Sequence, residues 1–245
     1  MRVLWADRSG VSRCATGIER RRRDVVTQAL IAFVPAAILG WLGVAEAADA
    51  VRGAILMTAL PSWPMAVNVV REILYGAFVL GAAVILGTTT GPRLRDGRAR
   101  VFGASMVASF LLVGVGLLPA GPVAWEATVR SFQIGLLTAV VGASLAVVAL
   151  VSLGSNFSII PEAQSLVVTG PYRWIRHPMY QAELLMMIGV ALSDPRITYL
   201  IGALGVFVLQ VYRIRVEEQL LLKAFPDAYK EFVARTRFRL IPGVW

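Results

Sequence analysis

Residues 132–153 read FQIGLLTAVVGASLAVVALVSL, a run without a single ionisable side chain. About 20 apolar residues in a helix span the ~30 Å of hydrocarbon in a bilayer. Lipid offers no partner for backbone N–H and C=O groups, so such a run has to satisfy its own backbone as a helix. Three runs upstream approach the same length: 25–44, which carries Pro35, then 67–86 and 101–118. Composition agrees with this reading. Of 245 residues, 57% are hydrophobic and 16% charged, and the mean hydropathy is +0.69. Soluble domains are typically about 45–50% apolar and about 25% charged. Surface area falls too slowly with size for one small core to hide the surplus. A soluble enzyme, a disordered chain and a disulfide-stapled secreted domain are thereby excluded, and the lone Cys14 can form no internal bridge. The chain reads as a polytopic membrane protein.

The arginines give the sidedness. A cluster at Arg20, Arg21, Arg22 and Arg23 precedes the first run. Arg93, Arg95, Arg98 and Arg100 lie between the second and third, and Arg173 and Arg176 follow the fourth. The other side holds few basic residues (Arg52 and Arg130 between runs, Arg71 near the head of the second), set among Glu46, Asp49, Glu72 and Glu126. By the positive-inside rule the N-terminus, the second loop and the chain after 153 are cytoplasmic. Four crossings from an inside start also end inside, so count and charge agree. The net charge of +9 thus sorts by membrane side and not along one amphipathic face, which argues against nucleic acid as a partner. Residues 1–24 have no apolar segment ahead of the arginines and do not read as a cleaved signal peptide. The stretch 45–66, interrupted by Pro61 and Pro64, reads as an external loop with a short interfacial helix, and Trp63 suits the headgroup boundary.

After Pro178 two shorter apolar stretches, 179–192 and 197–211, flank Ser193, Asp194, Pro195 and Arg196 and read as a helical hairpin. The tail from Arg213 is amphipathic: Leu220, Leu221, Ala224, Phe225, Tyr229 and Phe232 follow helical spacing, interrupted at Pro226. The expected fold is all-α, with about six membrane-embedded helices, the last two a hairpin, and a cytoplasmic C-terminal helix. It divides into a basic N-terminal segment (1–24), a four-helix scaffold (25–153) and a motif-bearing region (154–245).

Chemistry concentrates in that last region. The only histidine, His177, stands in TGPYRWIRHPMY (169–180), where Gly170-Pro171 makes a turn and Tyr172, Arg173, Arg176, His177 and Tyr180 follow within a few turns. Arginines and aromatics routinely anchor helix ends at the interface, which accounts for Tyr172, Arg173 and Trp174 but poorly for the His-Pro pair. The second cluster is YRIRVEE (212–218). Arg213 and Glu217 are four apart and can pair on one helical face. Adjacent carboxylates at the end of a membrane helix cost desolvation unless paired or solvated, so Glu217 and Glu218 are either functional or an ordinary solvated helix start.

LVVTGPYRWIRHPMY, then an apolar hairpin, then RIRVEEQLLLKAFPDAYKEF and RFRLIPG resemble the isoprenylcysteine carboxyl methyltransferase family and its phospholipid-methyltransferase relatives, over roughly residues 152–245. LGSNFSIIPEAQSLVVTG, just upstream, is similar to the family's entry segment. The resemblance implies an integral-membrane methyltransferase that uses S-adenosylmethionine, without the soluble dinucleotide fold, and no GxGxxG is present. Carried over, the cofactor contacts are Tyr172, Arg176, His177, Pro178, Tyr180, Glu217 and Glu218, with Leu166 and Val168 lining the adenine. Gln164 stands where relatives often carry a basic residue or His, and Phe225-Pro226-Asp227 replaces the usual Phe-Gly. The resemblance implies Arg213 and Glu217 as the catalytic pair, no metal site, and a lipophilic or lipidated acceptor among membrane lipids. An acceptor carboxylate would be oriented by Arg213 or Arg215; an acceptor amine would need a Glu to take its proton. Two rivals remain: an NADPH-dependent sterol-reductase-like oxidoreductase, which shares an ending like Arg239-Leu240-Ile241-Pro242-Gly243, and a non-catalytic membrane scaffold. Against a transport path, the scaffold helices are expected to carry almost no buried ionisable residues, with Glu183 in the hairpin as the exception, which is expected to pair with an arginine or face the cofactor cavity.

Overall fold

The computed structural model describes residues 34–58, 62–88, 94–95, 99–117, 121–159, 162–163 and 165–244. They form helices α1 (Val34–Thr58), α2 (Trp63–Thr88), α3 (Ala99–Leu117), α4 (Val129–Leu153), α5 (Pro178–Ser193), α6 (Ile197–Ala224) and α7 (Pro226–Arg235). Short 3-10 turns occupy Gly154–Asn156 and Gly170–Arg173. A minimal antiparallel ladder joins β1 (Leu94–Arg95) to β2 (Glu162–Ala163), with Leu94 opposite Ala163. Residues 1–33, with the Arg20–Arg23 cluster, and Arg93, Arg98 and Gln164 lie outside the described residues.

Helices α1, α2, α4 (with its 3-10 extension) and α6 are long and apolar enough to cross a membrane; α3 contributes a shorter apolar stretch, Arg100–Leu111. Among the described residues four helices, where about six membrane-embedded helices were expected, meet the length of a full span. The 16 residues of α5 cover only about 24 Å at 1.5 Å per residue.

The outward faces are apolar. On α6, Ile201, Leu204 and Val208 point out at helical spacing, while Gly202, Val206, Gln210 and Arg213 are buried. On α4, Val141, Val148 and Val151 face out and Ala139, Ala143, Ala146 and Ala149 face in. Large residues outside and small ones inside suit helices solvated by lipid, where packing and not water exclusion holds them together.

The closest packing is between α4 and α5, whose glycines let the backbones meet. A Cβ on Gly189 would lie 2.6 Å from Ala139 N, one on Gly135 would lie 2.6 Å from Gly189 O, and one on Gly142 would lie 2.8 Å from Met186 N. This seam sets the start of α5, and with it His177 and Tyr180, beside the end of α4.

Two expectations are corrected. The stretch 45–66 is mostly helix: α1 runs unbroken to Thr58. No proline falls between Pro35 and Pro61, and Arg52 donates to Asp49 at 2.7 Å across one turn. The charges that suggested a loop are held on a helix. Trp63 and Pro64 then open α2, where proline's fixed φ is compatible with the first turn. Second, the run 197–211 does not end at the arginines; α6 continues to Ala224, because no glycine or proline interrupts RIRVEEQLLLKA before Pro226.

Candidate active site

Four stretches of chain meet where α4 ends and α5 begins. Gly170 makes this possible: its φ of +58° is the left-handed region that favours glycine, and a Cβ there would collide with Ser152. Pro178 then opens α5 directly after His177. The C-terminal segment of residues 236–240 is laid along the same stretch, with a single bridge between Ile175 and Phe238. Arg176 N–H donates to Phe238 O at 2.9 Å, His177 N–H donates to Arg239 O at 3.0 Å, and the Thr236 hydroxyl donates to Arg173 O at 3.2 Å. Helix α6 supplies the fourth wall.

Glu218 is held between two guanidinium groups. Arg176 Nη1 donates to its Oε1 at 2.6 Å, while Arg239 approaches Oε2 from Nε at 3.0 Å and from Nη2 at 2.9 Å. Arg176 also donates to Arg237 O at 2.8 Å. The hydrogen bond to Glu218 raises the pKa of Arg239 further, so the clamp stays charged. Burial, and then the nearby Glu218 charge, push the Tyr229 phenol above its ordinary range; burial does the same to Tyr172. Both phenols stay protonated at physiological pH.

Glu217 faces the other way. Its Oε2 accepts from the Tyr180 hydroxyl at 2.7 Å and lies 3.7 Å from His177 Nδ1. The His177 ring stacks on Tyr180 with centroids 5.6 Å apart and planes at 11°. Arg213 covers the other part of Tyr180, its guanidinium carbon 4.6 Å from the ring centroid. Only 2% of Arg213 is accessible. Its Nη2 donates to Ile159 O at 2.8 Å and its Nη1 to Gln210 Oε1 at 3.3 Å, with Glu183 Oε2 at 3.8 Å. A desolvated cation over an aromatic face is worth about 2 kcal/mol, so this stack is rigid.

His177, Tyr180, Glu183, Arg213 and Glu217 line one narrow cleft together with Asn156, Phe157 and Ser158 of the turn after α4. Leu166 and Val168 line a second, larger cleft with Arg173, Phe232, Arg235 and Thr236. Pro178 and Tyr172 are buried in the packing and line neither, so they position their neighbours. Arg213 and Glu217 share the cleft but do not pair, because Arg213 turns to Gln210 and Glu183. Arg215 is exposed on the opposite side of α6. Arg239 and Gln210 were not among the expected site residues. A lone Gln three residues before an arginine in an apolar helix was the available signal for Gln210. For Arg239 the signal was its place in the RFRLIPG motif, but only the fold brings residue 239 to residue 177.

Residues 131–228 match the phospholipid methyltransferase family. The matched stretch covers 98 of the 245 residues. The match starts inside α4 and contains Tyr172, Arg176, His177, Tyr180, Arg213, Glu217 and Glu218, but stops short of Arg239. The chain is also 34% identical over 121 residues to the protein-S-isoprenylcysteine O-methyltransferase of Rattus norvegicus, covering 45% of this chain and 42% of that protein. It is 34% identical over 73 residues to the cobalt-zinc-cadmium resistance protein CzcN of Cupriavidus metallidurans, covering 29% of this chain and 33% of that protein. The chain thus spans less than half the length of either relative.

Proposed function

We propose that this protein is an integral-membrane, S-adenosylmethionine-dependent methyltransferase acting on a lipophilic acceptor. The observation that carries the reading is the convergence of two motifs far apart in the chain: Tyr180 and His177 from one, Glu217 and Glu218 from the other, around a cleft inside the stretch that matches the phospholipid methyltransferase family. S-Adenosylmethionine presents a carboxylate, an ammonium, a ribose diol and an adenine. The donor set fits it. Arg176 Nε and His177 Nε2 are buried and make no hydrogen bond among the described residues, although His177 Nε2 lies 3.5 Å from Glu218 Oε1, and they suit the carboxylate. Glu217 suits the ammonium or the diol, and the apolar wall of Leu166, Val168 and Phe232 suits the adenine. When bound, the cofactor supplies an electrophilic methyl group on a sulfonium sulfur.

The protein's own work is alignment and exclusion of bulk water. The His177–Tyr180–Arg213 stack gives the cleft a stiff wall, and the Glu218 clamp holds the C-terminal segment against it. In this reading the site faces the cytoplasm, both termini lie on that side, and the acceptor enters from the bilayer. Residues 25–153 serve as the scaffold and 154–245 as the cofactor-binding region, with α4 shared between them.

The test is transfer of label from methyl-labelled S-adenosylmethionine into the lipid-extractable fraction of membranes expressing the protein. Wild type is expected to label that fraction. Glu217→Gln, which halves the carboxylate's acceptor capacity toward Tyr180 and a ligand, is expected to cut labelling about tenfold or more, as loss of a charge-assisted hydrogen bond of ~1.5–3 kcal/mol requires. Glu126→Gln, in the exposed loop before α4, is expected to label as wild type. Equal labelling by the two variants would remove Glu217 from the site.

A further inference from the structure

Two stretches that the fold lays side by side, 173–175 and 236–241, leave arginines and aromatics exposed just before α5. Trp174 is 67% exposed and stands four residues ahead of Pro178, which opens that helix. The guanidinium carbon of Arg173 lies 5.7 Å from the Trp174 ring centroid, so an exposed cation and an exposed indole are held together. The Thr236 hydroxyl donates to Arg173 O and Phe238 bridges to Ile175, which sets Arg237 and Phe238 beside that pair. Phe238, Ile241 and Val244 are exposed as well, while Leu240 among them is fully buried. Trp174, Arg237 and Phe238 line neither cleft of the candidate site; Arg173 alone borders the larger one. This is a separate face.

Its charge is uncompensated. Arg52, Arg71, Arg196 and Arg235 each have a carboxylate of their own, and Arg176 and Arg239 share Glu218. Arg173 and Arg237 make no ion pair among the described residues. Residues 165–182 and 232–245 contain no Asp or Glu, and Glu231, on the rim of the larger cleft, is taken by Arg235. The face is therefore cationic and apolar at once. Water solvates the guanidinium groups but not the rings, and hydrocarbon does the reverse. The headgroup layer of a bilayer serves both, because indole prefers that boundary and guanidinium forks bind phosphate oxygens.

We propose that Arg173, Trp174, Arg237 and Phe238 form a binding site for an anionic phospholipid at the membrane boundary beside α5. The two guanidinium groups take the phosphodiester, Trp174 lies at the level of the glycerol, and Phe238 lies against the first segments of the acyl chains. The lipid is a bound partner of this face and not the methyl acceptor. Selection for negative charge follows from the two unpaired cations, since each basic residue near an anionic membrane surface contributes about fivefold in affinity.

The test is native mass spectrometry of the full chain in neutral detergent with equimolar dioleoyl-phosphatidylglycerol and dioleoyl-phosphatidylcholine. The acyl chains are identical, so the ratio of the two adducts reads the head alone. Phosphatidylglycerol is expected to be favoured at least about fivefold by wild type. Arg173→Gln with Arg237→Gln is expected to bring that preference below about twofold. Arg100→Gln with Arg130→Gln removes the same charge from two other exposed arginines and is expected to keep it. Thermal midpoints verify that both double variants fold. Equal binding of the two lipids by wild type, an unchanged preference in the first double variant, or the same loss in both would overturn the proposal. Displacement of the lipid by glycerophosphoglycerol, the same head without tails, at equal concentration would overturn it in favour of a soluble phosphodiester.

Discussion

Glu218→Ala is expected to lower the affinity for S-adenosylhomocysteine by roughly 100-fold, about 2.7 kcal/mol, and to open the C-terminal segment to trypsin. Glu218 is the only carboxylate between Arg176 and Arg239 among the described residues, with N···O distances of 2.6 to 3.0 Å. Removing one partner of a buried pair costs ~3–5 kcal/mol, because the other charge stays desolvated. Here 37% of the Arg239 side chain is accessible, so the cost is discounted toward ~2–3 kcal/mol. The loss falls where the segment of Phe238 and Arg239 is tied to Arg176 and His177, so it loosens the donor set as a unit. Cleavage after Arg235, Arg237 and Arg239 reads the loosening directly, since such local opening is what proteases sample. Unchanged affinity together with unchanged cleavage would show that the clamp is ornamental to the site.

Gly189→Leu is expected to cost about 3 kcal/mol or more and to lower the thermal midpoint in detergent by roughly 10 °C. The added side chain begins 2.6 Å from Ala139 N and 2.7 Å from Gly135 O, both backbone atoms of α4 that cannot step aside. The helices must separate, and small-residue seams are what hold membrane helices at close range. Gly103→Leu on α3 is the matched control, because a Cβ there has open space. Equal midpoints for the two variants would mean that α4 and α5 do not meet as described. A depressed midpoint with weakened S-adenosylhomocysteine binding in Gly189→Leu is also expected, since the seam places His177 and Tyr180.

The sequence makes some of this legible and hides the rest for identifiable reasons. Apolar runs locate α2, α3 and α4 to within a few residues, because lipid leaves the backbone no alternative to a helix. The charged half of α1 is misread as a loop, since Glu46, Asp49 and Arg52 break the apolar pattern without breaking the helix. The arginines at 213 and 215 likewise suggest an end to α6 that the structure does not contain; a change in hydropathy marks a change of surroundings and not of backbone. At the site, Tyr180, His177, Glu217 and Glu218 are readable from their motifs. The Arg213–Glu217 pair is suggested by spacing alone, and the tertiary partners Gln210 and Glu183 win over it. Arg239 stands in the RFRLIPG motif, but its partner is not legible in one dimension, because it depends on the C-terminal segment returning across the chain to Arg176.

The central claim is that the cleft between α5 and α6 binds a sulfonium methyl donor. The direct measurement is calorimetry of S-adenosylhomocysteine against the purified full chain in detergent with added lipid, with NADPH run under the same conditions. The account predicts saturable binding of S-adenosylhomocysteine at one site per chain and no binding of NADPH. Binding of NADPH without S-adenosylhomocysteine would contradict it in favour of a membrane reductase, and binding of neither ligand would contradict the enzyme reading altogether.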